Sequence, residues 1–196
     1  MYTLKEIETN GLHYLELASF NKKSKAKICL NQGGRLSSFS FENTQILEDF
    51  DSSSYRDNYA SAILFPFANR IKDGKYTFKD YKYKLQCNET DKNNALHGLV
   101  YNKTFILINK KLTSDFASVT LQYKDYGKVK GFPFKFHIEL SYTLSKNGMT
   151  LAIKVKNNGK KTFPFTLGWH PYFYTTDLYK SSINFKSDKK YVCNEQ

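Results

Sequence analysis

An all-β fold is predicted for this chain of 196 residues, and three observations predict it. Apolar side chains recur with a period of two along several segments, the spacing of half-buried antiparallel strands. Turn-forming residues punctuate those segments at short intervals. No window of useful length carries the i, i+3, i+4 stripe of an amphipathic helix. Many short strands joined by regular turns make an antiparallel sandwich or barrel.

Taken along the chain, Leu12 to Phe20 and Ala26 to Leu30 begin the sheet. "YTF" and "YKYKL" flank Lys79-Asp80 and read as a hairpin, although its turn lacks the favoured glycine. "FILINK" and "FASVTLQY" are further strands. The clearest is "FKFHIELSYTL", which puts Phe134, Phe136, Ile138, Leu140, Tyr142 and Leu144 on one face. Lys135, His137, Glu139, Ser141 and Thr143 fall on the other, so His137 is expected at the surface. "SKNG" follows, and its Asn147-Gly148 pair tolerates the positive φ of a hairpin turn. Met149, Leu151, Ile153 and Val155 then alternate again up to the turn "NNGK".

Composition narrows the function classes. A hydrophobic fraction of 40% with 16% aromatic residues is enough for a packed core, which excludes a disordered chain. No apolar run approaches the ~20 residues of a membrane helix. The N-terminus "MYTLKEIETN" has no apolar stretch of the signal-peptide kind, so the expected location is cytoplasmic, with no membrane partner. Cys29, Cys87 and Cys193 are odd in number and far apart, the pattern of reduced structural thiols. The net charge is +12, yet of 30 basic residues only Arg35, Arg56 and Arg70 are arginine. Base-edge and bidentate phosphate recognition favour arginine, and the lysines are dispersed among apolar residues. The reading is a solvated surface and no nucleic-acid partner. No His/Cys/Asp cluster has the spacing of a metal site, and His13 has no companion chemistry nearby.

Three stretches break the strand pattern by setting polar groups inside apolar text. In "SAILFPFANRIKDGKYTF", Asn69 and Arg70 follow an apolar run. In "NNALHGLVYNKTF", His97 precedes Gly98. "FPFTLGWHPYFYTT" holds His170 beside the chain's one tryptophan and two of its four prolines. Each residue alone could be a satisfied structural group. Together, three such breaks beside Gly or Pro argue for polar groups converging on one cleft. If the last segment is extended, Gly168, His170 and Tyr172 face one way, and Trp169 falls on the core side, with stacking on a ligand as its functional alternative.

These stretches resemble the aldose 1-epimerase (galactose mutarotase) family. The likeness runs through "PFANRI", "DGKYTF…YKYKL", "ALHG", "GFPFKFHIELSYTL" and "GWHPYF", in family order. It implies a large antiparallel β-sandwich with a sugar-binding cleft on one sheet face, an aldose as the small-molecule partner, and no cofactor. Anomer interconversion needs a proton delivered to the ring oxygen while the anomeric hydroxyl loses one. Histidine can hold or release that proton near neutral pH. By resemblance His170 is the general acid, and His97 with Arg70 binds the sugar and assists at its ring oxygen. Asn69 and Tyr172 stand at positions similar to further substrate contacts. The resemblance also implies a general-base glutamate well downstream of "HPYF", in a longer chain. The carboxylates following Phe173 here are Asp177, Asp188 and Glu195, and Glu195 comes too soon. The expectation is therefore one domain, residues 1–196, lacking the C-terminal strands and the base. Two alternatives stand beside a mutarotase. One is a non-catalytic sugar-binding domain; the other acts on sugar phosphates, with Arg35 and Arg56 as spare cations.

Overall fold

The computed structural model describes residues 1–49 and 54–189. Cys193 and Glu195 lie outside the described residues. Five strands form an antiparallel meander: β1 (Thr3–Thr9), β2 (Leu12–Ala18), β3 (Lys25–Cys29), β4 (Arg35–Phe41) and β5 (Thr44–Glu48). A second, four-stranded meander comprises β11 (Ile106–Leu112), β12 (Phe116–Tyr126), β13 (Lys135–Ser145) and β14 (Gly148–Asn157). Between them in sequence come one helical turn, α1 (Tyr55–Asn58), and the short strands β6 (Ile63–Leu64), β7 (Arg70–Lys72), β8 (Lys75–Phe78), β9 (Tyr81–Lys84) and β10 (Asn94–Leu96). β15 (Gly168–Trp169) follows the second meander.

The two meanders share one core. Leu15, Leu17, Ile28 and Leu36 of the first are at most 1% exposed, as are Val119, Leu121, Ile138 and Leu140 of the second. Burying each such side chain contributes roughly 1.5–3 kcal/mol relative to leaving it in water. Tyr142, fully buried on β13, donates its hydroxyl to the Gly34 carbonyl at 2.8 Å, so the layers are tied by a hydrogen bond as well. Burial pushes that phenol's pKa well up, so it stays a neutral donor. This is the predicted antiparallel β-sandwich.

β13 follows its period-two pattern in full: every residue assigned to the apolar face is buried. On β14 the same pattern gives half-buried residues, because β14 has a hydrogen-bonded partner on one side only. The turn between them is Lys146–Asn147, with Ser145 paired to Gly148. Gly148 itself takes the positive φ, +113°, where a side chain would be strained. The β8–β9 hairpin forms without glycine: Lys79 and Asp80 both adopt left-handed φ, 48° and 67°.

Three expectations are corrected. Trp169 is 36% exposed rather than in the core, because β15 has only the two-residue β6 as partner and nothing described covers its outer face. His137 lies on the outer face of β13 but is largely covered, its Nδ1 2.9 Å from the Asn158 side-chain amide and its Nε2 3.5 Å from Glu139. Arg35 is no spare cation. It is fully buried, donates to Gln32 Oε1 at 2.6 and 2.9 Å and to the Ala60 carbonyl at 3.2 Å, and pairs with Asp49. Its guanidinium also lies 4.2 Å from the Tyr55 ring centre.

Candidate functional site

Two small ladders and one glycine bring the polar groups together. β7 pairs with β10, Arg70 opposite Leu96, and beyond that pair the His97 amide donates to the Asn69 carbonyl at 3.1 Å. Residues 26 and 28 apart in sequence thus become neighbours across a strand pair. Asn69 and His97 both take left-handed φ, 62° and 61°, which turns the backbone where the ladder ends. On the other side, β15 pairs with β6, and the His170 amide donates to the Ala62 carbonyl at 3.1 Å. The next residues of the β6 segment meet the His97 loop: Leu99 donates to the Phe65 carbonyl at 2.7 Å. That approach requires Gly98, since a Cβ there would sit 2.3 Å from the Phe65 oxygen.

Segment 61–65 therefore carries His170 on one flank and His97 on the other. The two imidazoles meet edge-on, ring centres 5.2 Å apart and planes at 70°. Tyr59 packs against His97 at 4.8 Å, and Tyr172 lies 5.4 Å from His170. The Tyr172 hydroxyl donates to the Asn58 carbonyl at 2.8 Å, which anchors it to the end of α1. Both histidines are half-buried, and the Nδ1 atom of each is buried with no hydrogen-bond partner among the described residues. Buried imidazole nitrogens ordinarily find partners. Two adjacent ones without any set this cluster apart from an ordinary packed core.

The electrostatics separate the residues' roles. Burial lowers the His97 pKa to about 4, with the neighbouring His170 and the Arg70 charge acting in the same direction. At neutral pH His97 is a neutral imidazole. Arg70, 46% exposed, is held by Glu89 through Nε–Oε2 at 2.8 Å, Nε–Oε1 at 3.0 Å and Nη2–Oε1 at 2.6 Å. Asn69 Oδ1 accepts from the same guanidinium at 3.3 Å. These hydrogen bonds from Arg70, with one from Asn94 at 2.8 Å, hold the Glu89 carboxyl near a pKa of about 2.

Sequence reasoning passed over Glu89, Asn88 and Tyr59. Glu89 sits in "CNET", which carries no break in hydrophobic pattern. Its position comes from a reciprocal backbone pair with Asn94, 3.1 Å each way. Asn88 imitates a strand residue, its Oδ1 accepting from the Leu96 amide at 2.6 Å and its Nδ2 donating to the Leu96 carbonyl at 3.1 Å. The same Nδ2 is 3.3 Å from the Tyr59 hydroxyl, whose pKa burial pushes up to about 12. A usable signal existed: β10 must return beside β7, so polar residues just before β10 had to lie near Arg70. Among the described residues, no group of three or more His, Cys, Asp or Glu could hold a metal ion. Cys29 and Cys87 are free thiols, and no described helix is long and apolar enough to cross a membrane.

An antiparallel sandwich of two meanders, with an arginine and two facing imidazoles beside its short central strands, defines the class of protein: an all-β sandwich with a polar cluster at those strands. The sequence comparisons name the family. The aldose 1-epimerase family matches residues 16–196, and the chain belongs to it. A galactose mutarotase-like protein from Clostridium acetobutylicum superposes with a TM-score of 0.76 at 26% identity, covering 88% of this chain and 54% of that one. The Escherichia coli (strain K12) protein YphB is 28% identical over 143 residues, 73% of this chain and 47% of its own length. Galactose mutarotase of Bos taurus is 25% identical over 146 residues, 72% of this chain and 41% of its own length. The chain thus spans about half the length of the relatives it matches.

Proposed function

We propose that this chain carries the sugar-binding and general-acid half of an aldose 1-epimerase site, which interconverts the α and β anomers of aldohexoses such as galactose and glucose. The observation that supports the reading is the facing pair of half-buried imidazoles, His97 and His170, with unpartnered buried Nδ1 atoms beside Arg70. In the forward step His170 gives a proton to the ring oxygen as the C1–O5 bond breaks, and a base takes the anomeric hydroxyl proton. The open aldehyde turns about C1–C2 and closes on its other face, returning both protons. His97, neutral at pH 7, cannot be the acid, but it can hydrogen-bond a sugar hydroxyl without repelling the His170 proton. Arg70, clamped by Glu89 and beside Asn69, presents a fixed cationic donor toward the ring oxygen. Tyr172 orients His170 and faces the same side.

A second reading, binding without turnover, is favoured by the state of the carboxylates. Among the described residues Glu89 is the one carboxylate hydrogen-bonded into the cluster, and at a pKa of about 2 it is a feeble base. Asp177 is occupied as a cap, accepting from the amides of Tyr179 and Lys180. Polarimetry of freshly dissolved α-glucose and α-galactose, with calorimetry of binding, separates the readings. A missing general base costs about 10²–10⁴-fold, so the expected result is weak binding with mutarotation close to the buffer rate. Arg70→Ala should then abolish the binding heat while His170→Ala changes turnover little. Fast mutarotation sensitive to His170→Ala would establish the catalytic reading and place the base among the remaining carboxylates, Glu195 first. No sugar binding at all would sink both.

A further inference from the structure

On the far side of Gly98 and Asn88 from the two imidazoles' own contact, a cavity of about 670 Å³ is lined by the end of β9, the loop before β11 and the turn after β12. That volume falls within the roughly 300–1,000 Å³ usual for small-molecule sites. Neither Arg70 nor either imidazole lines it. Lys84, Lys103 and Lys130 do, and among the described residues no carboxylate does. None of the three ammonium groups forms an ion pair among the described residues.

The convergence of these lysines is built into the backbone. A Cβ at Gly131 would lie 2.2 Å from the Lys84 carbonyl oxygen, so the turn carrying Lys130 is pressed directly onto β9. The Tyr76 hydroxyl holds that turn by donating to the Gly131 carbonyl at 2.7 Å. The Lys103 loop is fixed from both sides, its amide donating to Val100 at 3.1 Å and its carbonyl accepting from Gly33 at 2.8 Å. Three lysines around one hollow raise its positive potential and favour an anionic ligand. The exposed side-chain amides of Gln86 and Asn102 stand in the same wall with no hydrogen bond among the described residues, and Leu99 and Val129 contribute apolar surface.

We propose that this cavity, which adjoins the histidine cluster but is lined by neither imidazole nor Arg70, is a second ligand site for a small phosphomonoester with a hydroxyl-bearing carbon frame. The lysines neutralise the phosphate as point charges, which suits a tetrahedral dianion without demanding a bidentate fork. Gln86 and Asn102 meet hydroxyls, and the carbon frame lies on Leu99 and Val129.

Cys87 provides a built-in reporter, since it lines the cavity half-buried as a free thiol while Cys29 is fully buried. Ribose 5-phosphate, inorganic phosphate and ribose are the probes, followed by calorimetry and by peptide-resolved alkylation of Cys87 with iodoacetamide. Ribose 5-phosphate should bind and slow Cys87 alkylation several-fold, phosphate should do so more weakly, and ribose should have no effect. Replacing all three lysines by glutamine should weaken binding by about tenfold or more, the sum of three partly exposed charge-assisted contacts. Lys130→Gln alone, at an exposed position, should cost about threefold and covers the case where the triple variant fails to fold. Arg70→Ala should leave ribose 5-phosphate binding intact even if the epimerase reading fails. Absence of binding, binding indifferent to the lysines, or binding lost in Arg70→Ala would each overturn the second site.

Discussion

His97 should make the protein's stability fall with acid before its carboxylates titrate. The imidazole has a pKa of about 4 in the folded chain against an ordinary 6.5, chiefly because folding buries it. Above pH 6.5 it is neutral in both states and its contribution is complete. As pH drops from 6.5 toward 4, the unfolded chain takes up a proton that the folded chain refuses, and stability is lost. The full displacement corresponds to about 3 kcal/mol, which the ring's remaining solvent access reduces to roughly 1–2 kcal/mol. Between pH 7 and pH 5 about 1 kcal/mol of this should be lost, or a fall in Tm of about 2–4 °C for a chain of this size. His97→Asn is the control variant, since asparagine tolerates the left-handed φ of 61° at this position. Urea unfolding of both proteins at pH 7 and pH 5 isolates His97 from His13, His137 and His170, which the two proteins share. Equal pH dependence in the two proteins would refute the reasoning. So would a His97 Cε1 proton resonance that titrates near 6.5.

Glu89→Gln should leave the fold intact but free the Arg70 side chain, weakening sugar binding by roughly threefold to tenfold through loss of its charge-assisted clamp; calorimetry with galactose reads this, and unchanged affinity would deny Glu89 a positioning role. Arg35→Met strands Asp49 without its partner and should destabilise by about 3–5 kcal/mol, as expected for breaking a buried pair, visible as a lower urea midpoint. Gly98→Ala places a Cβ 2.3 Å from the Phe65 oxygen at a φ of +82°. It should cost more than about 1 kcal/mol and perturb the His97 and His170 resonances together. A variant with native stability and unshifted imidazoles would show that the loop can move aside.

The strands were legible in the sequence because alternation is a local property. A residue on a strand reports its own face, and the β13 pattern from Phe134 to Leu144 needs no knowledge of the partner sheet. The breaks at Asn69-Arg70, His97-Gly98 and His170 were legible for the same reason, as polar groups in apolar text beside residues that bend the chain. What occupied the space around them was not. Trp169 and His170 are consecutive, and alternation put Trp169 inside, yet exposure depends on which element lies over the two-residue β15.

The sequence by itself determined an all-β chain of hairpins, its core-facing residues, and three motif stretches in a recognisable order. Tertiary structure decided which polar groups became partners. Arg35 and Arg70 look alike as isolated arginines, but one is sealed against Asp49 under Tyr55 and the other is held at the surface by Glu89. Each choice rests on which backbone segments run side by side across 14 or 19 intervening residue steps. Side-chain periodicity carries no information at that range, because charge pairing and burial depend on through-space distance after the chain has closed on itself.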